Sequence, residues 1–402
     1  MGGEGEIPGF ELVGAEEFAQ IEDVFLNGGV LSRHGFDERR NGCFKVRDFE
    51  DAFAARMGVA HALAVSSGTA ALRVALAALG IGPGDEVVTQ SFTFVATVEA
   101  IIESGATPVC AEIDTSLNID IDDLRRRLTS RTRAVIVVHM LGTPARLHEV
   151  LAVCEERGIA VIEDTAWGCG GSFNGRPMGT WGRIGTFSFD AAKTMTTGEG
   201  GMVVFSGETE WRRAKAWHDH GHENNPDLPR WEDSRSGSGF NFRMTELQAA
   251  VGLAQLEKLS HVVASQVMNR DRLWDAIRDL PGVTPRDVPD GSSETADALV
   301  FFVGDQKQAR RCRENLLDVG VSTKILPEAV SWHFAGTWTH MPELVEAHGG
   351  NLCGDFPQSR ALLERAVSLP VTVEMDEGIP ALVRSALVEV LEVPATDADS
   401  RA

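Results

Sequence analysis

The chain has 402 residues, 43 % of them hydrophobic, and its 59 acidic residues outnumber its 37 lysines and arginines to give a net charge of −22. This composition is typical of a folded globular protein of about two or three domains and argues against a disordered chain. The strong negative charge opposes non-specific binding to nucleic acid or to an anionic membrane surface.

The six cysteines are scattered without a C-x-x-C pair, and the chain has no tyrosine. Unpaired cysteines of this kind are typical of reduced thiols in a cytoplasmic protein. No apolar run of about 18 residues occurs, and the acidic, glycine-rich start does not resemble a signal peptide. We therefore expect a cytoplasmic protein that does not span a membrane, and proton transfer through a tyrosine phenol is excluded.

Short β-branched runs alternate with longer helical stretches between about residues 60 and 205. The predicted strands are His61–Ser66, Glu86–Gln90, Thr107–Ile113, Arg133–His139, Ile159–Glu163, Gly185–Phe189 and Met202–Phe205. The predicted helices between them are Thr69–Leu79, Ala96–Glu103, Ile121–Leu128 and Leu147–Arg157. This alternation indicates a mostly parallel sheet with helices on both faces, on which ligands bind beyond the carboxyl ends of the strands.

The remainder of the chain predicts a long helix and a smaller α+β domain. Apolar residues at helical spacing over 244–259 predict an amphipathic helix, and strands are expected near 299–303 and 367–371. The predicted division is a large domain with an N-terminal helical segment at 1–261, a small C-terminal domain at 262–393 and a frayed tail at 394–402.

Lys193 follows the strand-like run Gly185–Phe189 and precedes glycines at 198, 200 and 201. A lysine at the mouth of a buried strand loses hydration, which lowers its pKa and favours the nucleophilic amine. A solvated surface lysine is the alternative, but the alternating strand and the glycines, which let backbone approach a ligand closely, argue against it. We predict that Lys193 forms a Schiff base with pyridoxal phosphate.

Other strand ends predict further contacts to that cofactor. The segment Ser66-Ser67-Gly68-Thr69-Ala70-Ala71-Leu72 opens a helix, whose free N–H groups favour a phosphate, although ordinary capping is the alternative. Asp164 ends a buried strand, and an isolated aspartate there would be interpreted as a helix N-cap; beside Lys193 and a phosphate site, a protonated pyridine nitrogen is the better partner. Phe94 is a candidate plate to stack on the ring, and the Ser188 hydroxyl is a candidate phosphate ligand.

Histidines alternate in the segment His218-Asp-His220-Gly-His222 and would suit a metal if the backbone were extended. No companion cluster accompanies them and the glycine indicates a turn, so we predict no metal site. His220 and His222 are instead candidates to line an acceptor pocket. Three arginines, each alternatively a rim charge, are candidates to hold an anionic substrate group: Arg230, Arg235 and Arg243.

Together these segments resemble the DegT/StrS-type sugar aminotransferases, vitamin B6 enzymes of fold type I. The resemblance covers most of residues 45–260 and is carried by Ser66–Leu72, Phe94–Thr97, His139 with Gly142, Glu163-Asp164, Ser188-Phe189 with Lys193, Gly198–Gly201 and Asn241-x-Arg-Met244. It implies an α/β fold with a mostly parallel central sheet in a large domain and a smaller C-terminal α+β domain. It also implies a homodimer with two active sites at the subunit interface.

The same resemblance implies roles for individual residues. Lys193 would carry the cofactor, Asp164 would pair with its ring nitrogen, and Phe94 would stack on its ring. The residues that would bind the phosphate are Gly68, Thr69 and Ser188, with Ser67 beside them and Asn241 reaching the phosphate of the neighbouring subunit.

Three positions depart from the family pattern. Trp167 stands where a glutamine usually contacts the cofactor's phenolic oxygen, and we hypothesise that its indole N–H takes over that contact. The alternative is that Trp167 packs elsewhere and Lys193 alone serves the oxygen. Asp190 replaces a common histidine and makes the lining beside Lys193 more acidic. The segment Ser331–Trp338 replaces the usual substrate-loop sequence, so the familiar nucleotide-sugar acceptors are not assumed.

The resemblance implies a ping-pong aminotransferase of amino-sugar biosynthesis. The glycine- and alanine-rich sequence fits either surface-polysaccharide or secondary-metabolite synthesis, and both stay open. L-Glutamate would donate the amino group, and a ketone or aldehyde of a sugar, a nucleotide sugar or a sugar-derived intermediate would accept it. One rival is a deoxysugar dehydratase or eliminase, disfavoured because dehydratase relatives have histidine in place of Lys193. Another is a non-catalytic cofactor-binding regulator, disfavoured by the intact Lys193 and Asp164. A nicotinamide dehydrogenase ranks behind both, because no G-x-G-x-x-G follows a strand.

Overall fold

The computed structural model describes residues 8–225 and 227–392, which are built around one large sheet and two small ones. The strands in chain order are β1 (His61–Val65), β2 (Glu86–Gln90), β3 (Thr107–Ala111), β4 (Thr132–Val138), β5 (Ala160–Asp164), β6 (Ser172–Phe173), β7 (Arg176–Pro177), β8 (Ile184–Ser188), β9 (Gly201–Phe205), β10 (Thr284–Pro285), β11 (Ser292–Ser293), β12 (Ala298–Phe302) and β13 (Ala366–Pro370). The large sheet has seven strands in the order β1-β9-β8-β5-β4-β2-β3. Strand β9 runs antiparallel to both neighbours, and the other pairs are parallel.

Helices connect and cover these strands. In chain order they are α1 (Pro8–Glu11), α2 (Ala15–Leu26), α3 (Lys45–Met57), α4 (Gly68–Ala78), α5 (Val95–Glu103), α6 (Ile121–Arg127), α7 (Leu147–Glu155), α8 (Glu208–Trp217), α9 (Glu246–Ile277), α10 (Gln306–Asp318), α11 (Val330–His333), α12 (Pro342–Ala347), α13 (Pro357–Glu364) and α14 (Ile379–Leu391). Within the described residues, no helix is both long enough and apolar enough to cross a bilayer.

The central strands are buried on both faces, which explains their nearly continuous apolar sequences. On one face, Ile136 and Ile162 pack with α4, α5 and α8. On the other face, Val135 and Val137 pack with α6 and α7. The predicted mostly parallel α/β sheet is therefore confirmed, and each strand and helix predicted between residues 60 and 205 lies within two residues of its predicted bounds. The two-residue strands β6 and β7 were not predicted.

The C-terminal part contains a second sheet of three strands, in the order β10-β12-β13. Its apolar face packs against α10, α14 and the end of α9, around residues such as Phe301 and Leu387. The smaller α+β unit expected there is thus present. The predicted division between residues 261 and 262 falls inside α9 and stays a prediction, whereas the predicted frayed tail lies outside the described residues.

Candidate active site

A cavity of about 390 Å³ opens where β1, β5 and β8 end. Most of the residues predicted to bind the cofactor line it: Ser67, Gly68, Thr69, Phe94, Asp164, Trp167, Ser188 and Lys193. A sheet with parallel strands brings their carboxyl ends to one edge, so these residues meet although they are far apart in the sequence. A larger cavity of about 540 Å³, between α3 and α8, contains neither Lys193 nor Asp164.

Lys193 lies in the loop after β8, where its backbone N–H donates to the Asp190 carbonyl at 3.1 Å. Its amine nitrogen lies 3.3 Å from the centre of the Trp167 ring. Removal of the amine from water and the nearby Lys324 ammonium lower the pKa of Lys193 to about 8, although Asp190 and two other carboxylates oppose this shift. At neutral pH a larger share of this amine is therefore uncharged, and hence nucleophilic, than for a lysine in water.

Asp164 is the last residue of β5, and its side chain is buried at the floor of the cavity. One carboxylate oxygen accepts a hydrogen bond from the Thr97 hydroxyl at 2.9 Å, and the other accepts one from the Ala166 N–H at 3.2 Å. Burial raises the pKa of Asp164 more than these bonds lower it. Because no described residue forms an ion pair with Asp164, a cationic group in the cavity would stabilise its ionised form.

The start of α4 forms one wall of the cavity. Ser67 caps the helix by accepting a hydrogen bond from the Ala70 N–H at 3.0 Å. Gly68 lies so close to β8 that an added Cβ would be 2.7 Å from the Ser188 Cβ and 2.9 Å from its hydroxyl oxygen. The first N–H groups of a helix have no partners within the helix, so this wall offers donors to an anion with the Ser188 hydroxyl beside them.

Aromatic side chains form the outer rim of the cavity. Phe94 is 37 % exposed and Trp332 is 65 % exposed, whereas Phe92 is buried in the core. The His333 ring lies 5.5 Å from that of Phe94, and its Nδ1 hydrogen-bonds the Ala329 carbonyl at 3.1 Å. Burial lowers the pKa of His333 to about 4, so this ring is neutral at physiological pH.

Sequence reasoning missed three of these residues. Trp332 and His333 belong to the segment recognised as unusual, but nothing in the sequence placed that segment at the cavity. Thr97 donates a hydrogen bond to Asp164, whereas the sequence motif Phe94–Thr97 gives it no individual role. The sequence spacing could have indicated this role, because Thr97 lies in the first turn of α5, four residues after Thr93. The two hydroxyls are hydrogen-bonded at 2.8 Å.

Trp167 is buried, and its backbone carbonyl accepts a hydrogen bond from the Thr295 hydroxyl at 3.0 Å. Its ring covers Lys193, and the Lys324 amine lies 5.1 Å from the ring centre. Among the described residues we find no hydrogen bond from the indole N–H. The hypothesis that this N–H serves the cofactor's phenolic oxygen therefore stays a prediction.

The remaining predicted residues lie in the segment 218–243, outside the cavity around Lys193. Asp219 organises this segment, because its buried carboxylate pairs with Arg230 and Arg243. His222 pairs with Asp233 at 3.1 Å. The exposed residues of the set are His220, Arg235 and Asn241. None of these described residues lines the cavity around Lys193, and their predicted roles stay predictions.

The described part of the chain contains no group of three or more His, Cys, Asp or Glu side chains that could hold a metal ion. The chemistry of the cavity is instead that of an amine, a buried carboxylate, a helix start with free N–H groups and a set of flat aromatic side chains. Such groups fit pyridoxal phosphate, which presents an aldehyde, a ring nitrogen, a phosphate and a flat ring.

Comparisons with known proteins identify a family and several relatives of this chain. The model of the DegT/DnrJ/EryC1/StrS aminotransferase family matches residues 38–387. The spore coat polysaccharide biosynthesis protein SpsC of Bacillus subtilis is 33 % identical over 382 residues, which are 91 % of this chain and 92 % of that protein. GDP-perosamine synthase of Vibrio cholerae is 38 % identical over 247 residues, 61 % of this chain and 64 % of that one. The crystal structure of the aminotransferase TlmJ from Streptoalloteichus hindustanus has a TM-score of 0.82 at 28 % identity, covering 96 % of this chain and 99 % of that one.

Proposed function

Because this chain belongs to the DegT/DnrJ/EryC1/StrS aminotransferase family, we propose that it moves an amino group from an amino acid to a ketone or aldehyde carbon of a sugar-derived acceptor. The chain is a pyridoxal-phosphate-dependent aminotransferase of fold type I. L-Glutamate is the proposed donor. A sugar, a nucleotide sugar or a related biosynthetic intermediate is the proposed acceptor, in line with the names of the relatives.

The observation that carries this proposal is that Lys193 and Asp164 line one cavity with a glycine-lined helix start. The amine of Lys193 would hold the cofactor through an imine, and Asp164 would pair with its protonated ring nitrogen. The N–H groups of Gly68 and Thr69 and the hydroxyl of Ser188 would bind its phosphate. Phe94, at the rim, would stack on its ring.

When bound, pyridoxal phosphate supplies an aldehyde for imine formation and a ring that accepts electrons. The released Lys193 amine would take the proton from the α-carbon of the donor, because an amine of lowered pKa acts as a base near neutral pH. The same amine would later return a proton as an acid. Asp164 would keep the ring nitrogen positively charged throughout, and the Trp167 ring would keep water away from the amine.

We further propose that two copies of the chain form a homodimer in which segment 218–243 completes the neighbouring active site. This would explain why the Asp219 cluster is well ordered by ion pairs yet remote from its own Lys193. Asn241 would then reach the neighbouring phosphate. The candidates to contact the neighbouring substrate are His220, His222, Arg235 and Arg243.

The proposed function is tested with the purified protein, pyridoxal phosphate and ¹⁵N-labelled glutamate. A change in the visible spectrum on adding glutamate, absent in Lys193→Ala, would support donor chemistry. Transfer of ¹⁵N to a keto-sugar acceptor would support amination and would argue against a dehydratase or eliminase, whose product carries no label. A protein that binds the cofactor but shows no single turnover with glutamate would instead be a regulator.

A further inference from the structure

A second lysine lies beside the candidate catalytic lysine. Lys324 follows α10 in the sequence, and its amine nitrogen lies 5.1 Å from the centre of the Trp167 ring, over which Lys193 lies at 3.3 Å. The amine nitrogens of both lysines therefore lie close to the same indole ring. Lys324 is far from Lys193 in the sequence and does not line the cavity itself.

Lys324 is held in place by hydrogen bonds at both ends. Its amine donates to the Asp297 carboxylate at 2.9 Å and to the Asp297 carbonyl at 3.1 Å. Its backbone N–H donates to the Ser368 carbonyl at 2.8 Å, and its own carbonyl accepts from the Ser368 hydroxyl. The Lys324 side chain is largely buried and Asp297 almost fully so, which fixes the position of this positive charge.

Several charged groups face Lys193 from different elements. Asp164 at the end of β5, Asp190 before Lys193 and Asp297 before β12 favour its charged form. The face of the Trp167 ring also attracts an ammonium group. His333 is neutral and adds no charge. Among the described groups with the largest effect on Lys193, Lys324 is the one whose charge opposes protonation.

We propose that Lys324 is a positioning residue which, held by Asp297 against the Trp167 ring, keeps a fixed positive charge beside Lys193 and thereby favours the uncharged, nucleophilic amine. A neighbouring cation is one of the two general ways to activate a lysine nucleophile, the other being desolvation. Here desolvation and the Lys324 charge act together, and they oppose the carboxylates around Lys193, which favour an ammonium group. The inference rests on the proposed function for the role of Lys193 as the cofactor-binding amine.

The simpler alternative is that Lys324 only joins two elements through its ion pair with Asp297. Charge and packing can be separated by substitution. Lys324→Met keeps the length of the side chain without the charge, and Lys324→Gln also keeps a donor for Asp297. Lys324→Arg keeps the charge. Lys307, an exposed lysine on α10, provides the matched control Lys307→Met.

The measurement is the pH dependence of acetylation of Lys193 by acetic anhydride in the full-length, cofactor-free protein, read by peptide mass mapping. This experiment needs no transamination, so it fails or succeeds independently of the proposed function. We expect a midpoint near 8 for the parent protein. The midpoint should rise by about one pH unit in Lys324→Met and Lys324→Gln, since a nearby charge typically shifts a pKa by at least this much.

Lys324→Arg and Lys307→Met should keep the midpoint of the parent protein. An unchanged midpoint in both neutral variants would overturn the proposal, and so would an equal rise in Lys324→Arg, because packing rather than charge would then be responsible. Circular dichroism spectra identify any variant that does not fold. Only Lys324→Gln can still donate a hydrogen bond to Asp297, so the two neutral variants differ in their stability. If one of them does not fold, the midpoint of the other tests the proposal.

Discussion

The Lys193 amine nitrogen lies 3.3 Å from the centre of the Trp167 ring. Both residues follow strands of the central sheet, Trp167 after β5 and Lys193 after β8, and these two strands are paired in parallel. The parallel pairing brings the two following segments together, and the buried Trp167 ring covers the amine. A cofactor attached to Lys193 would therefore be held beside this ring, and the indole N–H is a candidate donor to its phenolic oxygen.

Trp167→Phe tests whether the indole N–H serves that oxygen, because it keeps a ring over Lys193 and removes the donor. Loss of one hydrogen bond, worth about 1 kcal/mol, should weaken pyridoxal phosphate binding about fivefold and shift the visible absorption maximum. Absorbance titration of the cofactor-free protein measures both. Trp181→Phe is the control, since Trp181 packs on His148 and Phe173 away from the cavity. Unchanged binding and spectrum would leave Trp167 with a packing role.

Asp164→Asn should increase the stability of the cofactor-free protein and decrease aminotransferase activity. Burial in the folded protein raises the pKa of Asp164. The ionised carboxylate therefore lowers the free energy of unfolding once the pH exceeds the ordinary pKa of an aspartate, about 4. This loss reaches its full size when the pH exceeds the pKa of Asp164 in the folded protein. In the cofactor-free protein the asparagine variant should therefore resist urea better at pH 7, and the gain should vanish below about pH 4.

Its aminotransferase activity should nevertheless fall by about 10²–10³-fold, because the ring nitrogen loses its anionic partner. Asparagine can still accept one hydrogen bond from the Ala166 N–H, and the Thr97 hydroxyl can reverse its direction to accept one. A variant that retains full activity would show that Asp164 does not act on the ring nitrogen.

Gly68→Ala should weaken cofactor binding by at least about tenfold. The new Cβ would lie 2.7 Å from the Ser188 Cβ, so α4 or β8 must move and the phosphate site must distort, at a cost of about 1–3 kcal/mol. Gly82→Ala is the matched control, because its nearest neighbour is the Ser104 carbonyl oxygen at 3.7 Å. Equal affinities of the two variants for pyridoxal phosphate, measured by absorbance titration, would remove Gly68 from the phosphate site.

The amino-acid sequence is sufficient to predict the central sheet and the residues at its strand ends, for a physical reason. Parallel strands buried on both faces need nearly continuous apolar runs, and the residues that follow them lie at one edge of the sheet. The strand pattern alone therefore predicts that Lys193 and Asp164 share a site. The cavity confirms that they lie together.

Long-range contacts explain what the sequence did not reveal. Helix α9 continues well past the predicted end at residue 259, but polar residues interrupt its apolar pattern. Gln266 and Asn269 are buried there because their amides donate to the Val371, Thr372 and Val373 carbonyls. A pattern-based prediction cannot anticipate such partners, which lie about a hundred residues away.

His333 shows the same limit at the active site. Its carbonyl accepts a hydrogen bond from the Thr93 N–H at 2.8 Å, and Phe334 forms a bridge with Phe92. These two contacts bring the unusual segment to the rim beside Phe94. Neither contact can be predicted from a local sequence pattern, because each joins two segments that are more than two hundred residues apart in the sequence.

Asp219→Asn tests the ion-pair cluster of segment 218–243. Burial alone would raise the pKa of Asp219, but Arg230, His34 and Arg243 outweigh it and lower the pKa to about 2. A depressed carboxylate pKa adds stability above its unfolded value, about 4, and this stability is lost as the pH falls towards 2. We therefore expect the variant to be about 2 kcal/mol less stable at pH 7, with most of this difference lost between pH 4 and pH 2 and the rest below pH 2.

Urea unfolding at several pH values measures this difference, with Asp227→Asn as the control because Asp227 is an exposed carboxylate of the same segment. If the segment also completes a neighbouring active site, Asp219→Asn should weaken cofactor binding as well, since Arg243 loses its ion pair while Lys193 keeps its surroundings. Equal stability of Asp219→Asn and the parent protein at pH 7 would contradict the role of Asp219. A difference that persists undiminished at pH 2 would point to packing, because Asp219 is then about half protonated in the folded protein and most of its charge-dependent stabilisation is lost.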